Sequence, residues 1–149
     1  MKKLKTFDDF FNELKEDYAT DNINIDNINE EQTENNIPNI IGLLFQSRDI
    51  SHIVHLSTGS YAGHKALNEY YDELLDKIDE LAEIYQGING KIEISILASK
   101  NEDIISHLEN LHKKVSSSKK TIENDEINAK IDEILELIST TLYKLKELK

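Results

Sequence analysis

The sequence predicts an all-α protein built as a four-helix bundle. One proline and five glycines in 149 residues favour helices, because both residue types interrupt them. Four segments also repeat apolar residues at the i, i+3, i+4, i+7 spacing of amphipathic helices. The chain is long enough to bury one core, so we expect a single bundle domain at residues 36–149, preceded by an arm at residues 1–35.

The arm is predicted to contain a short helix followed by a linker. Its first part repeats apolar residues at helical spacing, at Phe7, Phe10, Phe11 and Leu14. Asn and Asp dominate residues 21–36, and such a polar, low-complexity stretch is typical of a mobile linker.

The first two bundle helices are predicted on either side of a turn at Gly59. Helix 1 begins near Pro38, since proline is favoured in a first helical turn, and ends near Thr58. Ser60 can cap helix 2, which runs to about Tyr85 and ends at one of the two glycines that follow. The tyrosines of this region, Tyr61, Tyr70, Tyr71 and Tyr85, are expected to pack, with their hydroxyls reaching polar partners.

The second half of the chain is predicted to hold a crossover and two more helices. Residues 91–97 alternate apolar and polar positions as a strand does, but a lone strand would have no partner. We therefore expect an extended crossover that packs on the bundle. Helix 3 is predicted at residues 102–117 and helix 4 at residues 125–148.

Four residues of the first two helices form the candidate site: His52, His64, Asp79 and Glu83. Imidazole and carboxylate groups are ligands for first-row metal ions. Asp79 and Glu83 are one turn apart and project from one face. At ~1.5 Å per residue, about 22 Å separates His64 from Asp79, so one ion cannot contact both within one chain. Two such helices packed antiparallel about a two-fold axis would bring them together.

The spacing His52-x11-His64-x14-Asp79-x3-Glu83 resembles the ferroxidase signature of Dps proteins, the mini-ferritins of the ferritin-like superfamily. Dps proteins usually carry Trp after the first histidine, where this chain has Ile53. A longer pattern at residues 52–72 reads His-x2-His-Leu-x-Thr-x-Ser-Tyr-Ala-x-His-x-Ala-Leu-x2-Tyr-Tyr-Asp and is followed by Tyr85-Gln-Gly. This longer pattern is also similar to a family of Dps-like proteins from tailed phages.

The resemblance implies a ferritin-like four-helix bundle with one long crossover between helices 2 and 3. It further implies a homodimer through helices 1 and 2, which a Dps-like shell of twelve chains would extend. The implied activity is iron binding and oxidation of Fe(II), with peroxide as the oxidant. His52 and His64 would bind the iron as neutral imidazoles, and Asp79 and Glu83 would balance its charge.

Other interpretations of the same residues stay open. His52 and His55, at i and i+3, could bind one ion together, or one could pack while the other points outward. Asp79 and Glu83 could each be solvated charges on an acidic helix. Glu109-Asn-Leu-His112 fits the Glu-x-x-His motif of larger di-iron proteins once, but helix 4 has no histidine to supply the second motif. His107 and His112 are therefore expected on the surface.

A second function class is a non-catalytic protein that binds a small ligand or a host protein. The dimer cleft, lined by His52, His55, His64 and the tyrosines, would be its binding site. Whether the protein is an enzyme thus stays open; it would be a ferroxidase if catalytic.

The amino-acid composition excludes or disfavours several other kinds of site and function. The chain has no cysteine, which excludes disulfides and thiolate metal sites. A formal net charge of −12 disfavours DNA binding, which needs clustered basic residues, and would attract cations. No apolar run approaches the ~20 residues of a membrane helix, and the N-terminus lacks the apolar stretch of a signal peptide. We expect a cytoplasmic protein.

Overall fold

The computed structural model describes residues 36–95, 97–98 and 102–148. These residues form four α-helices and a short 3-10 helix, and none of them lies in a strand. The elements are α1 (Ile37–Ser57), α2 (Tyr61–Asn89), α3 (Ile104–Ser118), the 3-10 helix (Lys119–Thr121) and α4 (Asp125–Glu147). The prediction of an all-α, four-helix protein is confirmed at this level. The predicted arm at residues 1–35 lies outside the described residues, so the proposed domain boundary stays a prediction.

Each α-helix begins at a side-chain cap. The residue before the first turn accepts a hydrogen bond from a backbone N–H that has no partner within the helix. The four caps are Asn36, Ser60, Asp103 and Asn124. Ser60 is the cap that the sequence predicts. α2 continues through Gly87 and ends at Gly90, whose φ of 83° lies in the left-handed region that favours glycine.

The core forms where the apolar faces of the four helices meet. α2 contributes a row of fully buried side chains at helical spacing, of which Leu74, Ile78 and Leu81 are 0 % exposed. α1 and α4 both pack against α2, and α3 packs against α1 and α4. The helices therefore stand in the order α1, α2, α4, α3 around one core.

Salt bridges to α4 and the short link to α1 show that α2 runs antiparallel to both of its neighbours. Against α4, the Lys144 ammonium lies 2.6 Å from the Glu69 carboxylate, and Lys130 lies 2.9 Å from Glu80. The later residue of α4 thus meets the earlier residue of α2. α1 and α2 form an antiparallel hairpin, since they are joined only by residues 58–60.

α3 is also antiparallel to α4, because Lys146 pairs with Glu109 and Lys119 pairs with Asp132, each at 2.6 Å. α2 and α3 are then parallel to each other, so the chain between them has to return along the length of the bundle. Residues of this connection lie against α1, where the side-chain amide of Gln46 donates to the carbonyl of Ala98. The described residues 90–95 and 97–98 are neither helix nor strand, as expected of an extended crossover.

Among the helices that the structure describes, none combines the length and the apolar character that crossing a bilayer requires.

A pair of glycine substitutions tests the packing of the crossover on α1. A Cβ added to Gly42 would lie 2.9 Å from the Ser95 carbonyl oxygen, whereas a Cβ at Gly87 would meet nothing within 4 Å. We expect Gly42→Ala to lower the free energy of unfolding by about 1–3 kcal/mol through overpacking. Gly87→Ala should raise it by roughly 0.5–1 kcal/mol, because alanine favours the helix. Urea denaturation followed by circular dichroism measures both; a neutral Gly42→Ala would contradict the close approach.

The ion pair between Glu69 of α2 and Lys144 of α4 predicts that the stability of the fold falls in acid. The hydrogen bond and the charge of Lys144 lower the pKa of Glu69 below its ordinary value of 4.5. The Glu69 carboxylate is therefore harder to protonate in the folded state than in the unfolded chain. The stabilisation that the ion pair provides is present above pH 4.5 and is lost as the pH falls below it. Glu69→Gln should lower the urea midpoint at neutral pH but not in strong acid. Because both side chains are partly exposed, added salt should shrink the difference.

Candidate metal site

Three histidines meet at the turn between α1 and α2. His52 and His55 stand one turn apart near the end of α1, and His64 lies in the first turn of α2. The rings of His55 and His64 are stacked with centroids 3.7 Å apart, and those of His52 and His55 are 6.1 Å apart. Because only residues 58–60 separate the helices, the hairpin brings together imidazoles that belong to different helices.

Two reciprocal hydrogen bonds join His55 and His64. Nδ1 of His55 lies 2.8 Å from the carbonyl oxygen of His64, and Nδ1 of His64 lies 3.0 Å from that of His55. A carbonyl oxygen only accepts, so both Nδ1 atoms carry the proton and donate it. The His55 carbonyl is among the last of α1, which have no partner within the helix, and His64 satisfies it. In a neutral ring, Nε2 is left as the unprotonated nitrogen that a metal ion binds.

The three histidines differ in exposure. His55 is buried, with 6 % of its surface exposed, while His52 is half-buried and His64 is exposed. His55 therefore has the environment of a structural residue, which packs against both neighbouring imidazoles. His64 is held by the same pair of hydrogen bonds but remains open to solvent, as a ligand for an incoming ion needs to be.

Asp79 and Glu83 are both exposed on α2, well away from the histidines. At ~1.5 Å per residue, they lie about 22 and 28 Å along the helix from His64, and at 3.6 residues per turn about 60° and 100° around it. The described residues contain no cluster of three or more His, Asp or Glu side chains that could hold a metal ion. A single chain therefore does not bring the four predicted residues together, and a site shared across a two-fold axis stays a prediction.

The same end of the hairpin exposes large apolar side chains. Ile53, Leu56 and Tyr61 are 62 %, 73 % and 78 % exposed, respectively. The expectation that Tyr61 packs within the chain is therefore wrong: Tyr61 opens α2 at the end of the bundle, where α1 has already terminated. Tyr70 and Tyr71 do pack, and their hydroxyls bond Ser47 and Asn68, each at 2.9 Å.

Within the described part of the chain, His107 and His112 belong to no second cluster of metal ligands. Glu109 pairs with Lys146 instead of approaching His112, and Lys146 lowers the pKa of Glu109 through this hydrogen bond. His107 is 6 % exposed, so its expected surface position is wrong. Its Nδ1 lies 2.5 Å from a Glu102 carboxylate oxygen. The spacing contained a signal for its burial, because position 107 is three residues after Ile104 and four before Leu111.

Residues 55–145 match a family of unknown function (DUF5856). The chain belongs to this family. The match covers most of the bundle and includes His55, His64, Asp79 and Glu83, while His52 lies just before it.

One relative of this DUF5856 protein comes from Enterobacteria phage T4. It is an uncharacterized 14.6 kDa protein in the mobD-ri intergenic region, 41 % identical over 51 residues, which are 34 % of this chain. The matched part spans 40 % of the relative's length. The predicted likeness to phage proteins is supported, and neither match names a ferritin-like protein. No solved structure matches the chain.

A double-mutant cycle tests the pairing of the two imidazoles. We expect His55→Ala and His64→Ala to be coupled by about 0.5–1.5 kcal/mol in the free energy of unfolding, because the two rings stack at 3.7 Å and either substitution removes the whole stack. The hydrogen bond from the remaining imidazole to a backbone carbonyl persists in each single variant. His112→Ala, on α3, provides the control partner, and its coupling to His55→Ala should be near zero. Additive losses for the first pair would show that the two imidazoles do not depend on each other.

Proposed function

We propose that this protein is a Dps-like iron protein that oxidises Fe(II) as a two-fold dimer. His52 and His64 of one chain would bind the ion together with Asp79 and Glu83 of the other chain. Each dimer would contain the site twice. Iron is the substrate as well as the bound ion, so the reaction leaves Fe(III) to be stored or released.

The state of His64 carries this proposal. Its Nδ1 donates to the His55 carbonyl at 3.0 Å, which fixes the ring orientation and leaves Nε2 as the ligand atom. Histidines that bind metals commonly donate their second nitrogen to a backbone carbonyl or a carboxylate in this way. Because His64 is also exposed, an ion can reach Nε2 without any rearrangement of the core.

The exposed face of the hairpin supports a two-fold partner. An antiparallel pairing that places His64 opposite residues 79–83 has its axis near residue 72, halfway between them. Leu56, near the end of α1, and Tyr61, three residues before His64, are exposed at this end of the hairpin and would be covered by the second copy. Exposed apolar patches are typical of interaction surfaces.

The helix arrangement supports the ferritin-like part of the proposal. Ferritin-like bundles carry one long crossover connection, and here the parallel α2 and α3 are joined by a connection whose residues Ser95 and Ala98 lie against α1. In such bundles, metal sites are built from side chains on facing helices. The proposed site follows that principle between chains instead of within one.

The proposed chemistry needs little from the protein beyond binding. One molecule of peroxide takes an electron from each of two Fe(II) ions, and with two protons its oxygen–oxygen bond breaks to give two waters. The imidazoles and carboxylates would hold the ion, and the carboxylates would favour the more highly charged product. The net charge of −12 would raise the local concentration of cations.

The alternative is a non-catalytic binding protein, favoured by one observation. Ile53, Leu56 and Tyr61 are exposed apolar side chains that would take no part in binding an ion. The same surface could then hold a small ligand or dock a host protein. We also propose that the dimer assembles into a shell of twelve chains, that the protein does not bind DNA and that it is cytoplasmic. These three proposals do not depend on the iron chemistry.

Peroxide-dependent oxidation of Fe(II) by the apo-protein tests the proposal. We expect fast, saturable oxidation, monitored by the absorbance of Fe(III), and its loss in the Asp79→Ala, Glu83→Ala variant. Glu123→Ala, Glu136→Ala is the matched control, because it removes two exposed carboxylates from the part of the chain around α4 and leaves α2 intact. The control should keep the activity.

A rate no higher than that of buffer would leave the bundle without this function and favour the binding alternative. Equal losses in both double variants would instead indicate a general effect of negative charge, which contradicts a specific site.

A further inference from the structure

We propose that Tyr71 is a positioning residue of the histidine site. Its ring holds the imidazole of His52 in the orientation that binds the ion. This inference rests on the proposed function. It assigns a role to a side chain that the spacing of the candidate ligands does not include.

Tyr71 contacts both histidines of α1. Its ring is stacked on that of His52, with centroids 4.3 Å apart and planes tilted by 22°. It meets His55 edge-on, with centroids 5.3 Å apart and planes at 76°. Stacked and edge-to-face pairs at these distances are attractive beyond their burial of area. Tyr71 therefore orders the α1 imidazoles from the side of α2.

A hydrogen-bonded relay holds the Tyr71 ring itself. The Tyr71 hydroxyl donates to Oδ1 of Asn68 at 2.9 Å, and Nδ2 of Asn68 donates to a carboxylate oxygen of Asp72 at 3.1 Å. All three residues lie on α2 at i, i+3 and i+4, so the relay depends only on the helix that carries them. With its hydroxyl bound, the ring has a defined position under His52.

The burial of Tyr71 separates this role from ordinary core packing. Its neighbour Tyr70 is 0 % exposed and bonds Ser47 in the interior, and burial there raises the pKa of Tyr70. Tyr71 is 9 % exposed and is covered by the imidazoles. It thus lies between the core and the candidate ligands. His64 receives its orientation from His55, and His52 receives its orientation from Tyr71.

Histidine ring NMR and Co(II) titration of the full chain test this role. Co(II) replaces Fe(II) because it is stable to air and its visible spectrum reports the ligand geometry. We expect Tyr71→Leu to weaken Co(II) binding by roughly 10-fold or more, the scale of losing a group that orients a metal ligand. Tyr71→Phe keeps the stacked ring and should rescue both the affinity and the Co(II) spectrum.

Tyr85→Leu is the matched control, since it is the same substitution on the same helix at a half-buried position. It should leave the affinity and the Co(II) spectrum unchanged. In metal-free protein, the ring-proton shifts of His52 should move in Tyr71→Leu and stay in place in Tyr85→Leu.

Each outcome separates the two proposals. Equal Co(II) affinity and spectrum in the wild type and Tyr71→Leu would overturn the role of Tyr71 and leave the metal site standing. No Co(II) binding by the wild type would overturn the proposed function and this role with it. Should Tyr71→Leu fail to fold, Tyr71→Met decides, because it keeps a long apolar side chain but removes the ring that stacks on His52; unchanged Co(II) affinity in that variant would overturn the role.

Discussion

The division of α2 into two faces is the constraint on which the rest of the structure depends. One face buries Tyr70, Leu74, Ile78 and Leu81 against the neighbouring helices and thereby fixes the rotation of the helix about its axis. That rotation decides which residues remain outside. A helix of 29 residues, about 43 Å long, also keeps its first turn far from its later turns. A site that uses both parts of the outer face must therefore include a second molecule.

The α1–α2 turn combines structural and functional roles in the same side chains. His64 satisfies a carbonyl at the end of α1 and, by the same hydrogen bond, presents Nε2 for a ligand. A substitution of His64 thus affects the hairpin as well as any metal binding. The carboxylates of Asp79 and Glu83 are exposed and far from the turn, so their substitution separates chemistry from folding more cleanly.

Sequence reasoning succeeded where local rules determine the structure. The helix starts, the cap at Ser60 and the separation of His64 from Asp79 follow from residue type and helical rise alone. It failed for Tyr61 and His107. Tyr61 is aromatic, but it is the first residue of α2, at the end of the bundle, and is 78 % exposed. His107 is polar, yet its register places it among Ile104, Leu108 and Leu111, and register prevailed over polarity.

The sequence by itself determined four amphipathic helices, an acidic surface and a set of ligand-type residues whose spacing excludes a site within one chain. Only the tertiary structure decided that the crossover lies against α1, that His55 stacks on His64 and that Tyr71 lies under His52. The physical reason is the range of the interactions. Helix formation and capping depend on residues within one or two turns, whereas ring stacking and helix direction depend on contacts between separate helices, which periodicity does not specify.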